Sequence, residues 1–472
     1  MIDIKSKKLL KTTFIYAIGS FGSKLLNFVL LPFYSYYLTK EEYGYYDIVL
    51  TTISLLVPLV TLQLSDSIFR WLVTSEKKNK EQSFVLSNAL MVILFNIMIV
   101  SLVFLIIREV VTIQYFFLIY SLLVMSSIYP VIQQVARGLS KNKLYASSGI
   151  IFSLALLLTN IIFLFALKLS IKGLLIASVL SYFISTLYLI MRLKLYNVFN
   201  VKYISFSLIK ELLGYSSPLI LNTMSWWLIV SANKYLVLYF LGKETLGIYS
   251  FANKFPGLLL MVNSIFILAW QESLIVNFNK ADRSQFFSKV FNYLISVQFS
   301  VTAFLILISE MMIKYLVSNS FYSSWKYMPI LYLGVAFSTL SSFYGAIYLG
   351  SKDTKGSLKT SLFGGIINIS VGLILIKPFG LYGVAISNLI SFIALFLFRG
   401  INTKKYVQLF IVKERLISLL IIIIISLSVA YLNNIFISIL TILVLTVYTS
   451  INNRELLARI INKIKKRIYG VS

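Results

Sequence analysis

Long apolar stretches follow one another along the whole chain, separated by short polar segments that are mostly basic. A helix needs about 20 apolar residues to cross a bilayer. The pattern predicts an all-α polytopic membrane protein with about fourteen transmembrane helices. They are predicted at residues 12–38, 44–73, 83–107, 113–136, 145–167, 173–191, 212–241, 246–276, 290–313, 328–350, 358–377, 380–398, 416–432 and 435–451.

The composition agrees with a membrane protein. Of the 472 residues, 59% are apolar or aromatic and only 12% are charged, and the mean hydropathy is +0.88. Ordinary globular domains are roughly 25% charged, so this chain has too few polar residues to cover the surface of a soluble protein. A soluble enzyme, a fibrous protein and a disordered chain are therefore excluded.

Basic residues are concentrated on one side of the predicted membrane. The chain has 43 Lys and Arg residues, 16 Asp and Glu residues and a net charge of +27. With a cytoplasmic N-terminus, 31 basic residues fall in inner segments, eight in outer loops and four inside helices. This bias follows the positive-inside rule and predicts that both termini are cytoplasmic. Nucleic-acid binding, the usual reading of such a charge, is disfavoured because no soluble domain is present to carry it.

The sequence contains neither Cys nor His. Disulfides, thiolate and imidazole metal sites, haem ligation and Cys- or His-based catalysis therefore have no residues to support them. We predict no metal, no cofactor and no catalytic residue.

Two halves of the chain resemble each other weakly. The motif Lys-Glu-x-x-Gly-x-Tyr occurs at 40–46 and again at 243–249, an offset of 203. Further matches pair Ser140-Lys141 with Ser351-Lys352, and Gly173, Ile176 and Ser181 with Gly383, Ile386 and Ser391. We predict an N-terminal six-helix lobe at 1–211, a C-terminal six-helix lobe at 212–401, and two extra helices with a basic cytoplasmic tail at 402–472.

An even number of helices in each repeat gives both repeats the same sense through the membrane. They are then expected to be related by an axis along the membrane normal, as in some secondary transporters, with a central cavity between them. Helices 1, 2, 7 and 8 are expected to line that cavity.

Four basic residues lie inside predicted helices, namely Lys24, Arg70, Lys234 and Lys254. A charge at mid-membrane costs about 2.5–3.5 kcal/mol on insertion scales, so each is a functional candidate. Lys24 is the deepest, about 21 Å below the outer helix end. We predict that these cations bind an anionic substrate. The alternatives are snorkelling lysines and, for Arg70, a structural ion pair with Asp66 one turn earlier.

Few acidic residues lie at membrane depth, and some amide side chains lie near the lysines. Asn27 and Asn233 accompany Lys24 and Lys234, while Asp66 and Glu272 lie near the inner ends of their helices. We predict these four residues as candidates for ion coupling or gating. The deep part of the predicted cavity is net positive and favours an anion.

Several motifs resemble the Wzx-type polysaccharide flippases of the multidrug/oligosaccharidyl-lipid/polysaccharide superfamily. They are Gly19-Ser20-Phe21-x-Ser23-Lys24, Leu31-Pro32-Phe33-Tyr34, Tyr37-Leu38-Thr39-Lys40-Glu41-Glu42-Tyr43-Gly44-x-Tyr46, Asp66-x-x-x-Arg70, Arg137-Gly138 with Asn142, and Phe379-Gly380-Leu381-Tyr382-Gly383-Val384-Ala385. The resemblance covers nearly the whole chain. It implies a V-shaped, MATE-like transporter of the bacterial cytoplasmic membrane that moves an undecaprenyl-diphosphate-linked oligosaccharide to the outer leaflet. It also implies that basic residues, here Lys24 and Arg70, hold the diphosphate.

The sequence leaves other functions open. A cation-coupled multidrug exporter of the same superfamily would need acidic groups in its cavity, and Lys24, Lys234 and Lys254 argue against it. A membrane polymerase or glycosyltransferase usually needs a large extramembrane loop or an acidic metal site, and neither is visible. The glycan, whether O-antigen, capsule or teichoic acid, and the coupling ion stay open, as do a polymerase and glycosyltransferases as pathway partners.

Overall fold

The computed structural model describes residues 28–74, 79–432 and 434–452, and every regular element in these ranges is helical. The first helix, α1, is described at residues 28–37. The next helices are α2 (Lys40–Val60), α3 (Leu64–Thr74), α4 (Asn79–Val110), α5 (Phe116–Gly138), α6 (Asn142–Asn160) and α7 (Ser170–Leu193). They are followed by α8 (Phe206–Val230), α9 (Asn233–Ala252), α10 (Lys254–Asn277), α11 (Arg283–Leu316), α12 (Met328–Gly350), α13 (Thr354–Asn402), α14 (Lys413–Leu432) and α15 (Ile435–Asn452).

The predicted membrane spans have helical counterparts. Ten helices or helix runs in the described ranges are long and apolar enough to cross a membrane. Two of these runs, Phe206–Asn277 and Lys355–Lys405, are long enough to hold two predicted spans each, and Phe436–Thr449 is a shorter apolar helix. The first predicted span is described only from residue 28 onwards. The all-α membrane fold is thus confirmed, with a helix count close to fourteen.

Several predicted spans are interrupted where the backbone loses a hydrogen bond. Pro58 lies near the end of α2, and Leu62 and Gln63 adopt left-handed φ values of 48° and 52° before α3 begins. Pro378 is followed in α13 by Gly380, at φ 53° and ψ −130°. Proline cannot donate to the preceding turn of a helix, and glycine tolerates a positive φ. These residues divide the long helical stretches into separate segments.

The backbone forms two compact units. The first unit runs to Trp227 and also includes Gly242–Gly247, and the second unit contains Leu228–Leu241 and continues from Ile248. The predicted lobe boundaries at 211 and 401 stay a prediction.

Each unit has its own apolar core. In the first unit, Leu64 and Ile68 of α3 pack with Leu86 of α4 and with Val135 and Leu189 of α5 and α7, all essentially buried. In the second unit, aromatic rings dominate. The Trp270 ring stacks on Phe343 at 4.1 Å between centroids and contacts Phe287 edge-on at 5.1 Å.

The linkers after α7 and α13 are each held by an asparagine on a long helix. Asn88 of α4 donates to the Tyr203 carbonyl at 2.8 Å and accepts from the Ser205 N–H at 2.7 Å. Asn292 of α11 donates to the Phe410 carbonyl at 2.8 Å and accepts from the Val412 N–H at 3.0 Å. In each unit, one asparagine side chain thus binds two backbone groups that lie two residues apart in the linker. We call each arrangement an asparagine bracket.

The turns after α5 and α12 are also alike. Ser140 and Lys352 adopt left-handed φ values of 58° and 59°. The next N–H, of Lys141 or Asp353, donates to the carbonyl five residues earlier at 2.9 Å in both turns, which is the Schellman way of ending a helix. The equivalent residues are 212 apart, so the sequence match of Ser140 with Ser351 was wrong by one residue.

The last two helices are predominantly apolar. α14 packs along α11, and Tyr431 near its end donates to the Lys326 carbonyl at 2.7 Å. Many of their large side chains are exposed, including Ile421, Phe436 and Leu440. These surfaces suit contact with lipid.

Candidate functional site

The predicted site residues are distributed over the two units. Arg70 and Asp66 lie on α3 of the first unit, and Asn233, Lys234, Lys254 and Glu272 belong to the second unit. Lys24 and Asn27 lie outside the described residues.

The Arg70 guanidinium packs against two aromatic rings. Its guanidinium carbon lies 4.5 Å from the centroid of the Tyr215 ring and 5.9 Å from that of Trp71, and the two rings meet edge-on at 5.6 Å. Arg70 is exposed. Stacking orients a guanidinium, whose planar set of donors matches a phosphate. The arrangement suits the recognition of an anionic group.

Asp66 is half-buried in the first turn of α3 and accepts a hydrogen bond from Gln63 Nε2 at 2.9 Å. A carboxylate in the first turn of a helix is favoured by the helix dipole. The break before α3 thus explains where Asp66 lies. Its predicted ion pair with Arg70 stays a prediction.

Lys234 and Lys254 share a structural setting. Each is half-buried and lies in the first turn of a helix, α9 or α10, that begins inside an apolar stretch. The break before α9 is at Ser231–Ala232, and the break before α10 precedes Pro256. A Lys inside an apolar helical run places a positive charge there that favours an anion beside it.

Asn233 belongs to a buried polar network in the second unit. Its amide nitrogen lies 3.0 Å from Asn368 Oδ1, 3.2 Å from Ser387 Oγ and 3.3 Å from the Val384 carbonyl. Asn368 in turn donates to the Ile229 carbonyl at 3.0 Å, and Asn388 donates to the same carbonyl at 3.2 Å. Among the described atoms, the buried Asn233 Oδ1 has no hydrogen-bond donor. Uncharged oxygen atoms clustered in this way are the ligand type that hard cations accept.

Glu272 is exposed on α10, two residues after the buried Trp270. Its predicted part in coupling or gating stays a prediction. The described residues include no group of three or more Asp, Glu, His or Cys side chains placed to hold a metal ion.

Sequence reasoning missed the burial of Arg399. It was assigned to an inner loop because the predicted helix ended at 398. In the structure α13 continues to Asn402, and Arg399 is only 1% exposed. It donates to the Ser341 carbonyl at 3.1 Å, to Thr360 Oγ1 at 3.2 Å and to Ser361 Oγ at 2.9 Å. The hydroxyl residues Ser341, Thr360 and Ser361, which lie in otherwise apolar stretches, were the sequence feature that could have indicated partners for a buried arginine.

Solved structures show the same fold. The chain matches a structure described as "Lipid II flippase MurJ, inward closed conformation" with a TM-score of 0.68 and 17% identity, covering 94% of this chain and 100% of the other. It matches an inward-facing multidrug resistance MATE family transporter of the MOP superfamily with a TM-score of 0.67 and 14% identity, covering 81% and 95%. A MOP superfamily transporter from Pyrococcus furiosus, described as having a binding pocket of reverse polarity, matches with a TM-score of 0.59 and 15% identity, covering 84% and 95%.

These neighbours are described as a flippase and as transporters, and this chain shares their fold. A comparison with curated proteins finds no significant sequence match. Residues 9–275 match the family described as polysaccharide biosynthesis protein, which agrees with the resemblance to Wzx-type flippases of the superfamily. Because that match covers more than half of the 472 residues, the chain belongs to the polysaccharide biosynthesis protein family.

Proposed function

We propose that the protein is a flippase that moves a polyprenyl-diphosphate-linked oligosaccharide across the cytoplasmic membrane by alternating access, for the synthesis of a cell-surface polysaccharide. The carrier we infer is undecaprenyl diphosphate, and the membrane is that of a bacterium with both termini of the chain in the cytoplasm. The glycosyltransferases and the polymerase of the same pathway would act before and after it.

The observation that carries the proposal is the setting of Lys234 and Lys254 in a chain of this family. Both lysines lie at a short break in an otherwise apolar helical run, so each places a positive charge inside that run. A diphosphate is the part of a lipid-linked oligosaccharide that such a setting would bind. Lys24 and Arg70 are the further cations that we propose for binding.

Binding must also be reversible, because a flippase has to release what it carries. Lysine is a point charge that binds phosphate without the two-point geometry of arginine. Three lysines would therefore attract the diphosphate and still let it leave. Arg70, which is exposed and stacked on Tyr215, suits a first encounter with the headgroup at the inner side.

The test is a complementation assay for surface glycan with variants of the four cations. We expect Lys24→Ala, Lys234→Ala and Lys254→Ala each to reduce export about tenfold or more, since a charged hydrogen bond to phosphate contributes about 1.5–3 kcal/mol. Lys24→Arg should keep part of the activity because the charge persists. Lys314→Ala, at an exposed lysine of α11, is the matched control and should export normally.

Protein amount and membrane insertion are measured for each variant, so that lost export is not lost folding. Normal export by all three lysine variants would contradict the charge mechanism. Drug sensitivity without a glycan defect in a deletion strain would instead favour the multidrug exporter.

We also propose that the Asn233 network couples transport to an ion, with Na⁺ as the candidate cation. The network supplies amide, hydroxyl and carbonyl oxygens but no carboxylate from its named members. Transport in vesicles should therefore depend on the Na⁺ gradient, and Asn233→Leu should remove that dependence. Equal transport with Na⁺ replaced by choline would contradict this assignment.

A further inference from the structure

The two copies of the repeated Lys-Glu-x-x-Gly-x-Tyr motif lie against each other. One copy begins α2 at residues 40–46, and the other lies within α9 at 243–249. Residues Gly242–Gly247 pack with the first unit, whereas the residues on both sides of them, Leu228–Leu241 and those from Ile248, belong to the second unit. We call Gly242–Gly247 the strap, and the contact it makes with the start of α2 the clasp.

The clasp is reciprocal. Lys40 Nζ lies 2.9 Å from Glu244 Oε1, and Lys243 Nζ lies 3.5 Å from Glu41 Oε1. The lysine of each copy therefore pairs with the glutamate of the other copy. A reciprocal contact of this kind is what a two-fold arrangement of identical segments produces, so the duplication of the motif supplies both halves of the contact.

The motif glycines bring the two backbones together. A Cβ added to Gly44 would lie 2.4 Å from the Lys243 carbonyl oxygen, and a Cβ added to Gly247 would lie 1.9 Å from the Lys40 carbonyl oxygen. Neither distance is possible for a real side chain. The shared Lys-Glu-x-x-Gly spacing is thus explained by this contact, in which glycine sets the approach and the charges set the pairing.

The two sides of the clasp differ in how they are fixed. The α2 side is fixed by a capping box at Thr39, by a hydrogen bond from Ser170 to Glu42, and by one from Tyr45 to the Gln114 carbonyl at 2.7 Å. The strap begins at Gly242, which interrupts α9 with φ 83° and ψ 175°. Thr39 and Gly242 occupy the same position before the two motif copies. One copy thus starts at a helix cap, and the other starts at a break in the helix.

We propose that the clasp is a latch of the transport cycle, with the strap docked on α2 in the conformation described here and undocked in another state. The proposal rests on the proposed transport function. Its basis is the reciprocal pairing of a segment that lies between two stretches of the other unit and starts at a glycine break. The strap pivots at Gly242 while the start of α2 stays in place.

The ion pairs are suited to a contact that must open in every cycle. The four side chains are between 27% and 68% exposed, and exposed pairs contribute little and weaken with salt. The ion pairs favour one docked position of the strap, and they are weak enough for the strap to undock. Reversing one charge should shift the balance between docked and undocked strap by about two- to fivefold.

The experiment uses the absence of native cysteine in the full-length protein. Lys40→Cys with Glu244→Cys is cross-linked in membranes by a short bifunctional thiol reagent that a reductant cleaves. Glu41→Lys should slow this cross-linking about two- to fivefold, and adding Lys243→Glu should restore it. Failure of Glu41→Lys to slow the reaction, or of the double reversal to restore it, would overturn the reciprocal clasp.

Transport is measured in the same cells. Cross-linking the clasp should stop glycan export, and reductant should restore it. Tyr45→Cys with Gln114→Cys, on the same end of α2, is the control pair, and its cross-linking should leave export unchanged. Full export with the clasp cross-linked would show that the strap need not undock and would overturn the latch. Because the cross-linking rates are measured without transport, they test the clasp even if the glycan is not the substrate.

Discussion

The linkers that follow α7 and α13 are held by the same bracket, yet the arginine that precedes each linker has a different environment. Tyr203 and Phe410, the residues bound by the two brackets, each lie eleven residues after an arginine, Arg192 or Arg399. Arg192 is exposed, whereas Arg399 is only 1% exposed and binds three oxygen atoms of α12 and α13. The two linkers thus share the asparagine bracket, whereas the arginines that precede them differ in burial.

The difference shows which features a repeat retains. An asparagine bracket needs only one asparagine on a helix and two backbone groups of a linker that lies beside it. A buried arginine needs several oxygen acceptors from parts of the chain distant in sequence, because a charge without them is expensive to bury. In the second unit Ser341, Thr360 and Ser361 supply those acceptors. The two units therefore differ in the buried polar contacts around this arginine.

The largest effect is expected from removing the buried arginine. Arg399→Met should lower the free energy of unfolding of the second unit by about 3 kcal/mol, because it removes the hydrogen bonds to Ser341, Thr360 and Ser361 and leaves a gap beside Gly345. Arg192→Met, at the equivalent exposed position, should change it by less than about 0.5 kcal/mol. Thermal unfolding in detergent measures both. Equal effects would contradict the contrast between the two sites.

A smaller effect is expected from the brackets. Asn88→Ala and Asn292→Ala each remove two hydrogen bonds to a linker and should cost about 1–3 kcal/mol. Asn88 is fully buried and Asn292 is partly exposed, so water can replace more of the loss at Asn292. Proteolysis of the linkers, followed with the melting temperature, should rank Asn88→Ala first. Asn197→Ala, at an exposed linker residue, is the control, and a loss as large as that of Asn88→Ala would refute the brackets.

The smallest effect concerns pH and compares Asp353 with Lys141, which follow the left-handed residues of the two equivalent turns. The Gly356 N–H, then the Tyr406 hydroxyl and the Lys405 ammonium, hold the pKa of Asp353 below its usual value of 3.8. The carboxylate is thus favoured in the folded state. Its contribution to stability is present above about pH 4 and is lost as the pH falls through the folded pKa.

Asp353→Asn should accordingly melt at a lower temperature than the wild type at neutral pH, and the difference should shrink as the pH falls below about 4. Lys141→Asn, at the equivalent turn, removes no carboxylate and should show no such convergence in the acid range. A difference in melting temperature between Asp353→Asn and the wild type that stays constant from neutral to acid pH would mean that the carboxylate charge does not stabilise the fold.

The sequence by itself determined the membrane class and the approximate helices, and it showed a repeated motif. Apolar runs of about 20 residues have few folds open to them in a bilayer, since backbone groups must be satisfied within the segment. The Lys-Glu-x-x-Gly-x-Tyr repeat was visible because its spacing and its residue types both recur. The basic residues Lys234 and Lys254 were visible because a charge inside an apolar run is costly.

Only the tertiary structure decided what these polar residues contact. Nothing in the spacing places Arg70 over Tyr215, Asn233 beside Asn368 and Ser387, or Arg399 against Ser341, because the partners are separated by more than fifty residues in each case. Helix ends also depend on packing, so one extra turn of α13 moved Arg399 from a predicted loop into the protein interior. A periodic pattern specifies which residues form a helix, whereas burial of a polar group depends on acceptors that distant parts of the chain bring to it.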